Sequence, residues 1–171
     1  MLKFGTQPKK EKVADVIERE LEVLLRVARG ITGNDAVAED MVSQAISIAF
    51  QKWDAFDGRH ARSWLIQIVR NEWLQHLRKS GTRREVAVDL VAEPSDEGFW
   101  KAVDEKIEAQ NILSELDALG EDYRLAILLC DVEQLSYDEA AQSLSIPLGT
   151  LQSRLFRGRK MLRARLVAQG I

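Results

Sequence analysis

The chain has 171 residues, 46% hydrophobic and 30% charged, a balance that excludes disordered and fibrous polymers and suits one globular domain or two small ones. Its single cysteine, Cys130, excludes an internal disulfide, and the isolated His60 and His76 give no zinc-ligand spacing, so no metal or other cofactor is expected. The net charge of −3 excludes a uniformly basic surface, but the charges are segregated.

Acids fill the middle of the chain at Glu85, Asp89, Glu93, Asp96, Glu97, Asp104, Glu105 and Glu108. Bases gather before them at Arg78, Lys79, Arg83 and Arg84, and after them at Arg154, Arg157, Arg159, Lys160, Arg163 and Arg165. Two basic patches around an acidic stretch are compatible with nucleic-acid contact at two separate places. No apolar run has the length of a secretory leader or a membrane span, which predicts a cytoplasmic protein without membrane insertion.

In chain order, helical periodicity predicts an all-α fold with no sheet. A first helix runs from about Glu11 to Gly30, with Leu21, Leu24, Leu25 and Ala28 along one side and Gly30 near its end. Gly33-Asn34 breaks the chain, and Asn34 or Asp35 caps a second helix that reaches about Trp53. Asp57-Gly58 makes a turn before a third helix over about Ala61 to Ser80. Gly81, Pro94, Ser95 and Gly98 then punctuate a charged stretch with no apolar stripe, the expected linker. The division is a small helical domain over 1–80, an acidic linker over 81–104 and a second small helical domain over 105–171.

The C-terminal end carries the sharpest local signal. In Ser136-Tyr137-Asp138-Glu139 the serine hydroxyl can accept from the Glu139 N–H while that carboxylate reaches back to the Ser136 N–H, a capping box that starts a helix. Ser145-Ile146-Pro147 forces a turn, because proline disfavours helix before it and is tolerated at a helix start. The following helix places Leu151, Leu155, Gly158 and Leu162 on one side, with Thr150, Ser153, Arg157 and Lys160 opposite and Arg154 alongside. This is a helix-turn-helix, whose second helix enters a major groove. Arginine can hold guanine in two-pronged fashion, and hydroxyls suit base edges or phosphate.

Leu135-Ser136-Tyr137-Asp138-Glu139-Ala140-Ala141 and Ile146-Pro147-Leu148-Gly149-Thr150-Leu151-Gln152-Ser153-Arg154-Leu155 resemble the promoter-reading domain of bacterial sigma factors of the extracytoplasmic-function group. Thr32-Gly33-Asn34 with Ala38-Glu39-Asp40-Met41-Val42 resembles that group's core-binding helix, and Ser63-Trp64-Leu65-Ile66-Gln67-Ile68-Val69-Arg70-Asn71 its promoter-melting helix. The resemblance implies a factor, not an enzyme, that binds the β′ clamp of RNA polymerase core and directs initiation through minus-ten and minus-thirty-five elements. It implies promoter-base contacts by Gln152, Ser153 and Arg157 with Arg154 at phosphate, and the helix face adds Thr150 and Lys160 to the expected duplex surface.

For the minus-ten element, it implies contacts to the non-template strand by Arg59, His60, Arg62, Trp64, Gln67, Asn71, Gln75, Arg78 and Lys79. An aromatic and amide-bearing side ending in cations suits an unstacked strand, and the loop over 56–62 lies where the group pockets a flipped base. Asp40, Ser43, Gln44, Ser47 and Gln51 form a polar stripe on the second helix, the expected polymerase face. Ser43-Gln44-Ala45 departs from the Gln-Glu-Thr often found there. Gln152 replaces a common cation, which favours adenine geometrically and flattens the salt dependence. An anti-sigma partner is also implied.

Two alternatives accommodate part of these features. A stand-alone helix-turn-helix regulator explains residues 105–171 but gives the first 80 no purpose. A sigma mimic that titrates an anti-sigma factor is opposed by the intact basic face at Arg154 and Arg157. For an enzyme, no nucleophile-base pair, phosphate-binding glycine loop or metal spacing is present. The charge segregation further suggests that the acidic linker holds the free protein closed over its basic surfaces.

Overall fold

The computed structural model describes residues 11–82 and 109–170, all in helices and the turns between them. In the N-terminal part, α1 spans Val13–Thr32, α2 Asp35–Lys52 and α3 Ala61–Lys79, with a single 3-10 turn at Trp53–Ala55. The C-terminal part comprises α4 (Ala109–Asp117), α5 (Glu121–Ile127), a π-turn (Leu128–Val132), α6 (Tyr137–Leu144) and α7 (Leu148–Ala168). Most of the linker, including Arg83, Arg84 and the acids from Glu85 to Glu108, lies outside the described residues.

Local chemistry sets most boundaries. Gly33 ends α1 in the left-handed region at φ 67°, its N–H donating to the Arg29 carbonyl. Asn34 then accepts from the Val37 N–H at 3.0 Å and starts α2. The capping box at Ser136 forms as its spacing predicts: the Ser136 N–H donates to Glu139 Oε2 at 3.0 Å and the Glu139 N–H to Ser136 Oγ at 3.2 Å. Pro147 stands immediately before α7.

Helices α1, α2 and α3 pack on one another through Leu24, Val27, Met41, Ala45, Leu65 and Ile66. Each of these side chains larger than alanine contributes about 1.5–3 kcal/mol. In the second bundle, α7 lies against α4, α5 and α6, burying Leu151, Leu155, Leu162 and Leu166.

Gly30 lies near the end of α1, as its place in the sequence predicts, and where α1 meets α5 and the π-turn. A Cβ at that position would approach Leu128 Cδ2 to 3.0 Å and Leu125 Cδ2 to 3.6 Å, so the missing side chain permits the approach. The Arg124 Nε–H donates to the Gly30 carbonyl at 2.8 Å across the same junction. The two bundles therefore touch directly, through α1 against α5 and α3 against α6.

Candidate nucleic-acid interface

At the head of α3 the chain turns through Trp53, Phe56 and Asp57. Phe56 stacks on half-buried Trp64 with ring centroids 4.4 Å apart, and Trp53 closes the cluster at 5.1 Å from Phe56 and 5.9 Å from Trp64. Asp57 accepts from the Arg59 N–H at 2.8 Å, a side-chain turn that shapes the loop. That backbone bond is the main reason its carboxyl lies below the usual aspartate range.

His60 holds a left-handed backbone at φ 54° immediately before α3, a strained state for a residue with a Cβ. Phe56, Asp57, Arg59, His60 and Trp64 wall a cavity of about 350 Å³, with Gln67 along one side. Sequence reasoning placed Arg59, His60, Trp64 and Gln67 here, and all four line the cavity. It missed Gln142, which comes from α6 of the other bundle and lines the same cavity.

Arg62 was expected on this surface and is found elsewhere. Its Nε–H donates to Glu20 Oε2 at 2.6 Å and its Nη1–H to the Glu133 carbonyl at 2.9 Å, which turns it inward. Farther along α3, Asn71, Gln75, Arg78 and Lys79 are exposed. On α2, Asp40, Ser43, Gln44, Ser47 and Gln51 are all exposed, and Ser43, Gln44 and Ser47 border a shallow cleft with Ile48 and Glu72. Phe50 lies beside them, 52% exposed.

On α7, Thr150, Gln152 and Arg157 are half-buried and Lys160 is exposed. Two expected surface residues differ. Ser153 is fully buried, its hydroxyl without a hydrogen-bond partner among the described residues, and Arg154 is buried with Nη1 3.2 Å from Asp122 of α5. Arg159, counted in the basic patch, is likewise turned inward to Asp131. The helical wheel sets Ser153 opposite the apolar stripe and Arg154 alongside it, and both are nonetheless buried, because tertiary neighbours decide which side chains stay in water.

Comparison with known proteins agrees with this layout. A family description of sigma-70 region 2 matches residues 16–83, and one of sigma-70 region 4 matches residues 109–162. The chain is 32% identical over 160 residues to the ECF RNA polymerase sigma-E factor of Escherichia coli K12, covering 86% of this chain and 82% of that protein. The chain belongs to the extracytoplasmic-function group of the sigma-70 family.

This sigma factor is also 30% identical over 155 residues to ECF sigma factor SigE of Mycolicibacterium smegmatis, covering 87% of this chain and 59% of the relative. Its fold matches the sigma factor RpoE of Bartonella quintana, solved in complex with the anti-sigma factor NepR. That match has a TM-score of 0.64 and 30% identity, covering 89% of this chain and 96% of the other. As a sigma factor it directs promoter-specific initiation by RNA polymerase. No helix among the described residues is long and apolar enough to cross a membrane.

Proposed function

We propose that this sigma factor divides promoter recognition between its two bundles, with residues 1–80 docking on polymerase core and opening the minus-ten element, and 105–171 reading the minus-thirty-five duplex. The observation supporting this most is the aromatic-walled cavity of about 350 Å³ at the head of α3. It lies at one end of a polar helix side that finishes in Arg78 and Lys79. An extruded base needs such an enclosure, because unstacking costs a few kcal/mol that pocket contacts must offset.

In this reading, Ser43, Gln44 and Ser47 meet the β′ clamp, flanked by Asp40 and Gln51. Arg59, His60 and Gln67 face the flipped base, Trp64 forms a wall, and Asn71, Gln75, Arg78 and Lys79 track the single strand. Thr150, Gln152, Arg157 and Lys160 face duplex, while Ser153, Arg154 and Arg62 set the positions of the others. The factor works in the cytoplasm beside polymerase. An anti-sigma helix would seat in the groove of about 510 Å³ bordered by Leu25, Arg26, Leu113, Leu116, Arg124 and Leu128.

The test is run-off transcription with purified core polymerase on genomic fragments, comparing wild type with Arg157→Ala and Lys160→Ala. Loss of a two-pronged base contact at Arg157 weakens recognition by about 1–3 kcal/mol at one promoter position. Loss of a phosphate contact at Lys160 weakens all sequences alike and reduces the salt slope by about 0.9. Failure of the wild-type protein to bind core would overturn the reading.

A further inference from the structure

The first turn of α7 presents an apolar side chain to water. Leu148 begins the helix and is 40% exposed, and Pro147 before it and Gly149 after it are exposed as well. A Cβ at Gly149 would meet nothing within 4 Å, so this tip of the helix-turn-helix is left uncovered by the rest of the described chain. The same turn carries no acid, although the partial positive charge of a helix start favours one, and α6 has Asp138 and Glu139 in that place. A helix start that only faces water would gain from a carboxylate; one that approaches phosphates would be repelled through it.

Leu148 and Gln152 are one turn apart and share a side of α7, an arrangement that sets Cβ atoms about 5–6 Å from each other. N-terminal residues of a recognition helix are the ones that reach base edges. On the floor of the major groove every base pair shows donors and acceptors, but the apolar group it offers is the C5 methyl of thymine. We propose that Leu148 determines specificity in the minus-thirty-five element by packing on a thymine methyl, beside the base edge that Gln152 meets. That role rests on the placement of α7 against duplex proposed above. Contact is by apolar burial alone, so it selects thymine over cytosine, which has no methyl, and adds nothing to the salt dependence of binding.

The test is run-off transcription by full-length protein with core polymerase, from the strongest promoter found among genomic fragments, with deoxyuridine placed for thymidine at one upstream position at a time. Uracil keeps every hydrogen-bonding group of thymine and removes only the methyl. At one position, initiation by the wild-type protein at subsaturating concentration falls about fourfold, the factor for one methyl group withdrawn from apolar contact. Leu148→Ala loses a similar factor on the unmodified template and is then indifferent to uracil. Its far-UV circular dichroism and melting temperature match the wild type, because the side chain is exposed in the free protein. Leu148→Met, which keeps an apolar side chain of similar size, retains the sensitivity to uracil.

Uracil tolerated at every upstream thymine overturns the role of Leu148, and so does a loss that persists undiminished in Leu148→Ala. If base-pair changes across the upstream element weaken initiation while uracil does not, that role alone fails. If those changes leave initiation unaltered, it is the reading of α7 as a duplex-facing helix that fails, together with the thymine contact built on it.

Discussion

Arg159 on α7 and Asp131 in the π-turn form a two-pronged ion pair inside the C-terminal bundle. Nε donates to Oδ2 at 3.0 Å and Nη2 to Oδ1 at 2.6 Å, with side chains 9% and 6% exposed. A guanidinium that sequence alone assigns to a DNA-facing patch is instead a bolt between helix and turn. The neighbouring Arg154, set toward Asp122, repeats the arrangement on the opposite flank of the apolar stripe. These two pairs fix the roll of α7 about its axis, and hence the direction in which Arg157 and Lys160 point.

Removing one member of such a pair strands the other without solvent. Asp131→Ala is expected to lower unfolding free energy by about 3–5 kcal/mol, and adding Arg159→Met to regain much of it, because a buried pair replaced by apolar groups is often near neutral. Urea unfolding followed by circular dichroism measures both. A single substitution costing less than about 1 kcal/mol would mean that water reaches the site, as at surface ion pairs.

Gly158 marks where α7 crosses α5. A Cβ there would stand 3.1 Å from Ile127 Cδ1, 3.2 Å from Tyr123 Cβ and 3.2 Å from the Tyr123 carbonyl oxygen. In an open helix, alanine for glycine gains about 0.8–1 kcal/mol. Here the backbone oxygen cannot swing aside, so Gly158→Ala is expected to destabilise by about 1–3 kcal/mol through overpacking. A rise in melting temperature would show that the crossing is loose. Gly30 differs in kind, since its neighbours are the flexible ends of leucine side chains.

Glu139 links acid stability to the helix-turn-helix. Its carboxyl is held below the ordinary value of 4.5, first by the Ser136 N–H and then by the Ser136 hydroxyl, with burial opposing and His60 adding to the depression. A depressed carboxylate contributes stability above the ordinary value and loses it as pH falls through the folded value. Glu139→Gln is therefore expected to remove part of the acid limb of the stability curve, leaving a shallower decline below the ordinary glutamate range. Unfolding measured at a series of pH values on both proteins checks this; parallel curves would dismiss it.

Much of this molecule was legible in its sequence because the signals are local. A capping box relates positions three apart, Asn34 binds an N–H three residues on, and Pro147 acts on its immediate neighbours. The exposed polar stripe from Asp40 to Gln51 and the buried Leu151, Leu155 and Leu162 follow from helical period alone.

What the tertiary structure decided involves partners far apart in the chain. Arg154 and Arg159 leave the basic patch because Asp122 and Asp131 meet them from other elements. Gly30 stands near a helix end, as it reads locally, and also serves a helix crossing. Arg26 and Glu133, separated by 107 positions, carry no mutual mark in the sequence, since nothing in helical period or turn chemistry specifies how two finished bundles meet. Hydrogen bonding along the backbone sets each helix; shape and desolvated charge between helices set which cations remain for a ligand.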